Sequence, residues 1–598
     1  MRRSHWLLAL LLALAAALAA CGGSGPANGE QPSEEGALAV VSAHGAATDA
    51  GIEVLLAGGS AADAAVAVAA ALSVVEPWFS SVLGGGTWAL YYDASAEVVT
   101  SLDGVGPVGS NASVADYAAR ASQSGMHQAN VPGAWDGWML WLERYGRLSL
   151  AEVLAPAVGL AREGVPVSAE MAAWLNRGRQ WILANEHTAA IYAPGGELLQ
   201  RGATVYQHDL ADTLETLAAA FDAASHDGRT AALQAARDHY YRGPLADALV
   251  SFSDDNGGYL TLADFHGFEA QIVDPVSIEY REGVRVYQNP PNSQGITMLL
   301  ALNVLEGFDL ASLGPDHPDA IHLQVEALKL AFADRHYHVG DPERVHVPVE
   351  ELLSDEHAER QRQRIALDEV LTWPIQDVLD TASREPLGTH SAGSGSTLVQ
   401  DHDEATGTTT FHVLDAEGNA AAVTTSLGAQ FYVVGDTGIH INNRMRFIAL
   451  ADGDPNQLTP GYKVRHTSNP YMVLRDGRPY LLGGNTGADT QAQAQVQQVV
   501  NVIDHGLTPG TAVARPRFVT SAFPATTYPY RVGNTLSMES GFPAALVDEL
   551  RQRGHEVSVG PGVWGVAHLL MVDEPGSAVV AREPRSSTSA GVVITKGE

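Results

Sequence analysis

The sequence predicts an α+β fold, and three features carry that reading. Two β-prone runs, Thr408–Asp415 and Ala420–Thr425, flank a short turn holding Gly418 and Asn419, the signature of a hairpin. A second pair of strands, Thr87–Tyr92 and Glu97–Leu102, follows the triple glycine Gly84-Gly85-Gly86. An alanine-rich stretch, Ala47–Ala71, reads as a small-residue helix suited to close packing, and further amphipathic helical segments fill the middle of the chain.

In chain order, residues 1–21 read as an export signal. Arg2 and Arg3 supply the positive start, and Trp6–Ala20 is an apolar run too short for a comfortable transmembrane span. Its end, Leu18-Ala19-Ala20-Cys21, resembles the bacterial lipoprotein box, which implies cleavage before Cys21 and lipidation of its thiol. Cys21 is the only cysteine, which excludes intrachain disulfides and a cysteine metal site. Residues 22–37 are rich in Gly, Ser, Pro, Asn and Glu and read as a flexible tether. The expected location is exported, on the periplasmic or cell-surface side, with the membrane touched only through a lipid anchor. Charge is lopsided, 69 acidic against 35 basic residues for a net −34, which argues against nucleic acid as a partner.

In the N-terminal half, Gly104-Val105-Gly106-Pro107-Val108-Gly109 matches a dinucleotide fingerprint literally. It lies on the second of two adjacent strands, and Pro107 removes a backbone donor, so it reads as structural. Helices are expected after Val131-Pro132-Gly133, over Leu150–Gly164, Asp209–Ser225 and Thr230–Tyr241, over Ile296–Leu305 after a Pro290-Pro291 turn, and over His322–Arg335. His336 and His338 form an HxH pair with no third ligand at metal spacing, and no metal or cofactor is expected. No GxSxG, HExxH or Walker sequence is present. Residues 353–407, with Gly393-Ser394-Gly395-Ser396, read as a loose polar segment leading to Thr408.

Within the hairpin, Thr408, Thr410, His412 and Leu414 share one face, and Thr409, Phe411, Val413 and Asp415 the other. Gly407–Thr408 admits a sharper reading, as a bond that the protein cuts in itself. A threonine at a new N-terminus carries a hydroxyl nucleophile and a free α-amine, whose reference pKa of about 7.7–8 suits a base near neutral pH. Gly407, lacking a Cβ, leaves the backbone room to strain. In the C-terminal third, strands Tyr471–Arg475 and Tyr480–Gly483 flank an Asp476-Gly477 turn. Gly484–Thr490 then opens the helix Gln491–His505, a glycine-bearing turn whose N–H groups suit an oxyanion.

Taken together, residues 38–595 resemble the γ-glutamyltranspeptidase family of N-terminal-nucleophile hydrolases. The resemblance is carried by Gly58–Ala67, Val75-Glu76-Pro77, Gly84-Gly85-Gly86, Val131-Pro132-Gly133, Pro290–Gly295, Ala331–Arg335, Thr408–Asn419, Asn442–Met445, Gly484–Gln491 and Glu583-Pro584-Arg585. It implies a four-layer αββα sandwich, autocleavage between Gly407 and Thr408, and a large subunit (38–407) that stays with a small one (408–598). By position, Thr408 is the implied nucleophile. Ser426 stands where the family has a hydroxyl that bonds it, and Gly487 and Ala488 stand at the oxyanion hole.

The substrate end departs from the family. Leu102-Asp103 is followed by Gly104-Val105-Gly106, without the arginine that would bind an α-carboxylate, and His466-Thr467 replaces a serine pair. Gly428 replaces an asparagine, and Arg444, with Arg446 nearby, stands where the α-amine binders belong. A free α-ammonium would meet repulsion there. The expected activity is hydrolysis or transfer of a γ-glutamyl or related acyl amide, a small-molecule substrate, through an acyl-Thr408 intermediate. A cephalosporin-acylase-like amidase whose acyl group carries a carboxylate toward Arg444 or Arg446 stays open, as do solvated surface charge for those arginines, a non-catalytic lipid-anchored relative and a peptidase.

Overall fold

The computed structural model describes residues 36–379, 407–428, 431–527, 530–562, 564–574 and 576–595. The export signal, Cys21, most of the tether and Gly393–Ser396 lie outside the described residues. Residues 36–595 belong to one compact unit.

Thirteen strands build its two large sheets. In chain order they are β1 (Leu38–Ser42), β2 (Gly86–Asp93), β3 (Val98–Gly104), β4 (Gln271–Val273), β5 (Val276–Arg281), β6 (Val284–Gln288), β7 (Thr408–Leu414), β8 (Ala420–Ser426), β9 (Tyr471–Arg475), β10 (Arg478–Asn485), β11 (Ala567–Met571), β12 (Val579–Ala581) and β13 (Ala590–Ile594). One seven-stranded sheet runs β13-β1-β7-β8-β2-β3-β4, and a six-stranded sheet runs β12-β11-β10-β9-β6-β5. The expected hairpin is therefore the centre of the first sheet, buried on both faces.

The burial pattern yields four layers. Leu90, Leu414, Ala420 and Ala422 meet Met472, Leu474, Leu482 and Leu570 between the sheets. On its other face the first sheet, through Phe411, Val413 and Val423, packs on helices α1 (Gly45–Leu56) and α2 (Ala61–Val75). The second sheet, through Val473, Leu481 and Leu569, packs on α3 (Ile296–Glu306), α4 (Pro318–His338) and α5 (Thr490–Val499). This is the expected αββα arrangement.

Ala47–Ala71 is two helices, not one. Ser60 starts the second with a capping box, its hydroxyl accepting from Asp63 N–H while the Asp63 carboxylate accepts from Ser60 N–H. Every residue of α2 is buried, as its small side chains permit. Helices that the sequence reading omits lie at Ala169–Arg177, Arg179–Ala184, Glu186–Tyr192, Pro244–Asp255 and Leu262–Gly267. Asp355–Arg362, inside the supposedly loose segment, is also helical, begun by a Ser354 cap. His336 and His338 close α4 as buried residues, the first against Trp373 and the second 2.9 Å from Asp377.

Candidate active site

The ladder sets Thr408 opposite Ser426, and Ser426 opposite Gly86. Thr408 and Ser426 are fully buried, with their hydroxyl oxygens 3.0 Å apart. The Ser426 hydroxyl donates to the Gly407 carbonyl oxygen at 2.7 Å, and Gly428 N–H donates to the same oxygen at 3.1 Å. A hydroxyl has one proton to give and two lone pairs to accept with. With its proton on Gly407, Ser426 Oγ accepts from Thr408 and from the Arg444 guanidinium. The carbonyl preceding Thr408 thus has two donors where negative charge would develop if Thr408 attacked it. A side chain at 407 has no room: an ideal Cβ would lie 2.6 Å from the Gly428 carbonyl carbon and 2.7 Å from Phe79.

Arg444 opens a short turn, Arg444–Phe447, and is only 1% exposed. It donates to Ser426 Oγ and, at 2.7 Å, to Asn443 Oδ1, and its guanidinium lies 4.5 Å over the Phe447 ring. Among the described residues no carboxylate pairs with it, and its Nε has no partner. Burial, then the neighbouring Arg446, pulls its pKa down to about 9, which leaves it charged at neutral pH. The solvated-surface reading therefore fails for Arg444, whereas Arg446 is half-buried. Gly428 makes this placement possible, since a Cβ there would fall 1.7 Å from Asn443 Oδ1 and 2.6 Å from an Arg444 terminal nitrogen.

His466 comes within reach from the second sheet's side, its Nε2 3.5 Å from where a Cβ on Gly86 would be. Its Nδ1 accepts from Ser468 N–H at 3.2 Å, which assigns the ring proton to Nε2. Burial, then Arg444, holds its pKa well below the usual value, so it is a neutral N–H donor with no partner among the described residues. Thr467 Oγ1 and Ser468 Oγ are also buried and unpartnered. Nearby, Lys463 Nζ lies 2.6 Å from Asp103, the aspartate that no arginine follows. This cation was missed because a lone lysine 360 residues away leaves no local pattern.

Gly487 and Ala488 link β10 to α5. Both have positive φ, +103° and +44°, and neither N–H donates a hydrogen bond among the described residues. β10 approaches β7 closely: a Cβ on Gly484 would lie 2.0 Å from Thr410 Oγ1, on the same face of β7 as Thr408. The hydrogen-bonded cluster therefore comprises Gly407, Thr408, Ser426 and Arg444. His466 reaches it from the second sheet's side, and Gly487 and Ala488 follow the strand whose Gly484 meets Thr410.

Among the described residues, His322, Glu326 and His555 could hold a metal, their ligand atoms lying within 4.8 Å of one another. They are already satisfied. His322 Nδ1 and His555 Nε2 are 2.8 Å apart, and Lys329 Nζ donates to Glu326 at 2.7 Å. The Lys329 charge also opposes a cation there.

Comparison with known proteins identifies the family. The family model described as Gamma-glutamyltranspeptidase matches residues 47–593. The chain is 34% identical over 560 residues to the glutathione hydrolase-like YwrD proenzyme of Bacillus subtilis, covering 92% of this chain and 97% of that one. It is 31% identical over 553 residues to the acylase ACY 1 proenzyme of a Pseudomonas strain, covering 90% of each. The crystal structure of cephalosporin acylase from Bacillus halodurans superposes with a TM-score of 0.78 at 29% identity, covering 96% of this chain and 99% of that one.

Proposed function

The chain belongs to the gamma-glutamyltranspeptidase family and is a hydrolase or transferase of that type, and from that premise we propose that it cuts itself between Gly407 and Thr408 and then turns over acyl amides through Thr408. The observation that carries the reading is the Gly407 carbonyl held by Ser426 and Gly428 beside the Thr408 hydroxyl. In self-cleavage, Thr408 Oγ1 adds to the Gly407 carbonyl carbon and the C–N bond breaks. The hydroxyl proton passes to the departing nitrogen, leaving an ester. Breaking the C–N bond has freed the Thr408 α-amine, and water then hydrolyses the ester to a Gly407 carboxylate and the Thr408 hydroxyl. In turnover that amine takes the Thr408 proton as Oγ1 attacks a substrate amide. The Gly487 and Ala488 N–H groups receive the oxyanion, and the proton leaves with the amine product. Water or a second amine then resolves the acyl ester.

For the acyl group, we propose one that ends in a carboxylate and lacks a free α-amine. A buried guanidinium without a carboxylate partner is costly, and a substrate anion would offset that cost. This favours an acylase-like amidase over strict γ-glutamyl specificity, since an α-ammonium would face Arg444. Export and lipid anchoring at Cys21 rest on sequence alone, and loss of metabolic lipid labelling in Cys21→Ala would test them.

A denaturing gel with N-terminal sequencing tests the central reading. Scaling 63.0 kDa by 191 of 598 residues gives a small chain of about 20 kDa, starting Thr-Thr-Thr-Phe-His. A wild-type chain that stays whole would sink the reading and favour a non-catalytic binding relative.

A further inference from the structure

Two sequence motifs, Pro290–Gly295 and Ala331–Arg335, have no part in the chemistry above, yet they meet directly behind it. Gln294 and Arg335 are fully buried. The Gln294 side-chain amide donates to the Ala488 carbonyl at 2.9 Å and to the Thr467 carbonyl at 3.2 Å. Its backbone N–H donates to the His466 carbonyl at 2.9 Å, and His466 N–H donates in turn to Asn292 at 2.8 Å. One residue therefore ties together two loops on the second sheet's side: the 466–468 loop, with its unpartnered His466 and Thr467 atoms, and the 487–488 loop, with its unused N–H groups.

Arg335 fixes Gln294 in turn. One guanidinium nitrogen donates to Gln294 Oε1 at 2.8 Å and to Asp489 Oδ1 at 2.5 Å. This orients the Gln294 amide, because with its oxygen on Arg335 its NH₂ must face the two carbonyls. The Arg335 guanidinium lies against a stacked pair of rings, 4.4 Å from the Phe332 centroid and 5.4 Å from that of Phe523, the two centroids being 3.8 Å apart. Asp489, next to Ala488, also accepts from Thr526 N–H at 2.7 Å. Burial pushes the Asp489 carboxyl up, but Arg335 and Thr526 outweigh it and hold it below its usual value. The 487–489 loop is thus pinned at the Ala488 carbonyl by Gln294 and at the next side chain by Arg335.

We infer that Gln294, oriented by Arg335, is a positioning residue that sets the distance between the oxyanion loop and the 466–467 substrate loop. The inference rests on the acyl-Thr408 reading for its consequence in turnover, though not for the clamp itself. It also separates two reactions. Self-cleavage uses Ser426 and Gly428 as donors to Gly407, neither of which Gln294 touches, whereas turnover uses Gly487 and Ala488.

The experiment compares wild type with Gln294→Glu and Gln294→Met. Glutamate keeps the shape and the acceptor for Arg335 but turns a carboxylate toward two carbonyls. Methionine keeps the volume and removes the side chain's polar contacts, and it stands in if the glutamate variant fails to fold. The readouts are self-cleavage on a gel, kcat and KM with glutaryl p-nitroanilide, and hydrogen exchange of the 486–491 peptide. The expected result is self-cleavage within a few-fold of wild type, faster exchange at 486–491, and kcat lowered roughly 10–100-fold, as a loop misplaced by about 1 Å would give. Unchanged exchange overturns the clamp. Faster exchange with unchanged kcat, or with self-cleavage falling in step with kcat, overturns the positioning role. Wild type that neither cleaves nor turns over the anilide counts against the parent reading instead, and exchange then decides the clamp alone.

Discussion

Thr408 and Ser426 stand opposite one another in the central ladder of the first sheet, and their hydroxyl oxygens are 3.0 Å apart. Because Ser426 gives its proton to Gly407, it touches both the bond proposed to be cut and the proposed nucleophile. Thr408→Ala should therefore leave one uncut chain with no small fragment. Ser426→Ala should fold but cleave roughly 10²–10³-fold more slowly, the usual cost of one lost oxyanion donor. A time course on a denaturing gel reads both, and cleavage of Ser426→Ala at the wild-type rate would refute this role.

Arg444 should govern acyl preference. Replacing it with alanine should erase discrimination in favour of glutaryl over an uncharged acyl anilide of similar length, mainly through KM. A bound carboxylate losing a charged partner forfeits about 1.5–3 kcal/mol, or about 10–100-fold in relative kcat/KM. An unchanged ratio between the two substrates would show that the guanidinium does not meet the acyl group.

Ala488 sits at φ +44° and Gly487 at +103°, both in the left-handed region. Ala488→Gly keeps the N–H and relieves strain, so turnover should stay within a few-fold of wild type. Gly487→Ala imposes roughly 1–2 kcal/mol of strain on the donor loop and should lower kcat by about tenfold or more. Steady-state kinetics on self-cleaved protein distinguishes the two. A harmless Gly487→Ala would mean that the loop does not hold the oxyanion.

Glu76, in the Val75-Glu76-Pro77 motif, gives a pH signature. Burial pushes its carboxyl up from 4.5 to about 8, with the Thr409 hydroxyl offsetting part of the shift and Glu170 adding to it. Its folded pKa exceeds its unfolded one, so the folded chain binds more protons between those values. Glu76 therefore withdraws stability as pH rises from about 4.5 to 8, and beyond 8 the loss is constant. Glu76→Gln, which cannot ionise, should gain in Tm relative to wild type across that window and match it near pH 4. Parallel Tm curves would rule this out.

Much of the nucleophile's surroundings was legible in the sequence because it is local. The Gly418-Asn419 turn fixes the hairpin register, and the register alone puts Ser426 across from Thr408. The four layers were implied by the family resemblance, whereas the local patterns marked only individual strands and helices. What could not be read was set by distant partners. The Lys463–Asp103 pair spans 360 residues, and Gln294 reaches Ala488 across 194. That Arg444 lacks a carboxylate partner is a property of its whole surroundings, so solvated surface and buried cation looked alike in sequence. Ala47–Ala71 reads as one helix in sequence because small residues continue through its break, where Gly58 takes φ +90° and Ser60 caps the second helix. The short helices over Ala169–Tyr192 are too brief for a period of 3.6 to stand out.

The strand order has a consequence for the cut protein. β1, from before the cut, lies between β13 and β7, both from after it, while β8 pairs with β2, and β9 with β6. Neither product chain retains either of the two large sheets complete, so separating them is the same event as unfolding the sandwich. The mature protein then obeys mass action: its thermal midpoint climbs with protein concentration, whereas that of the uncut Thr408→Ala chain does not.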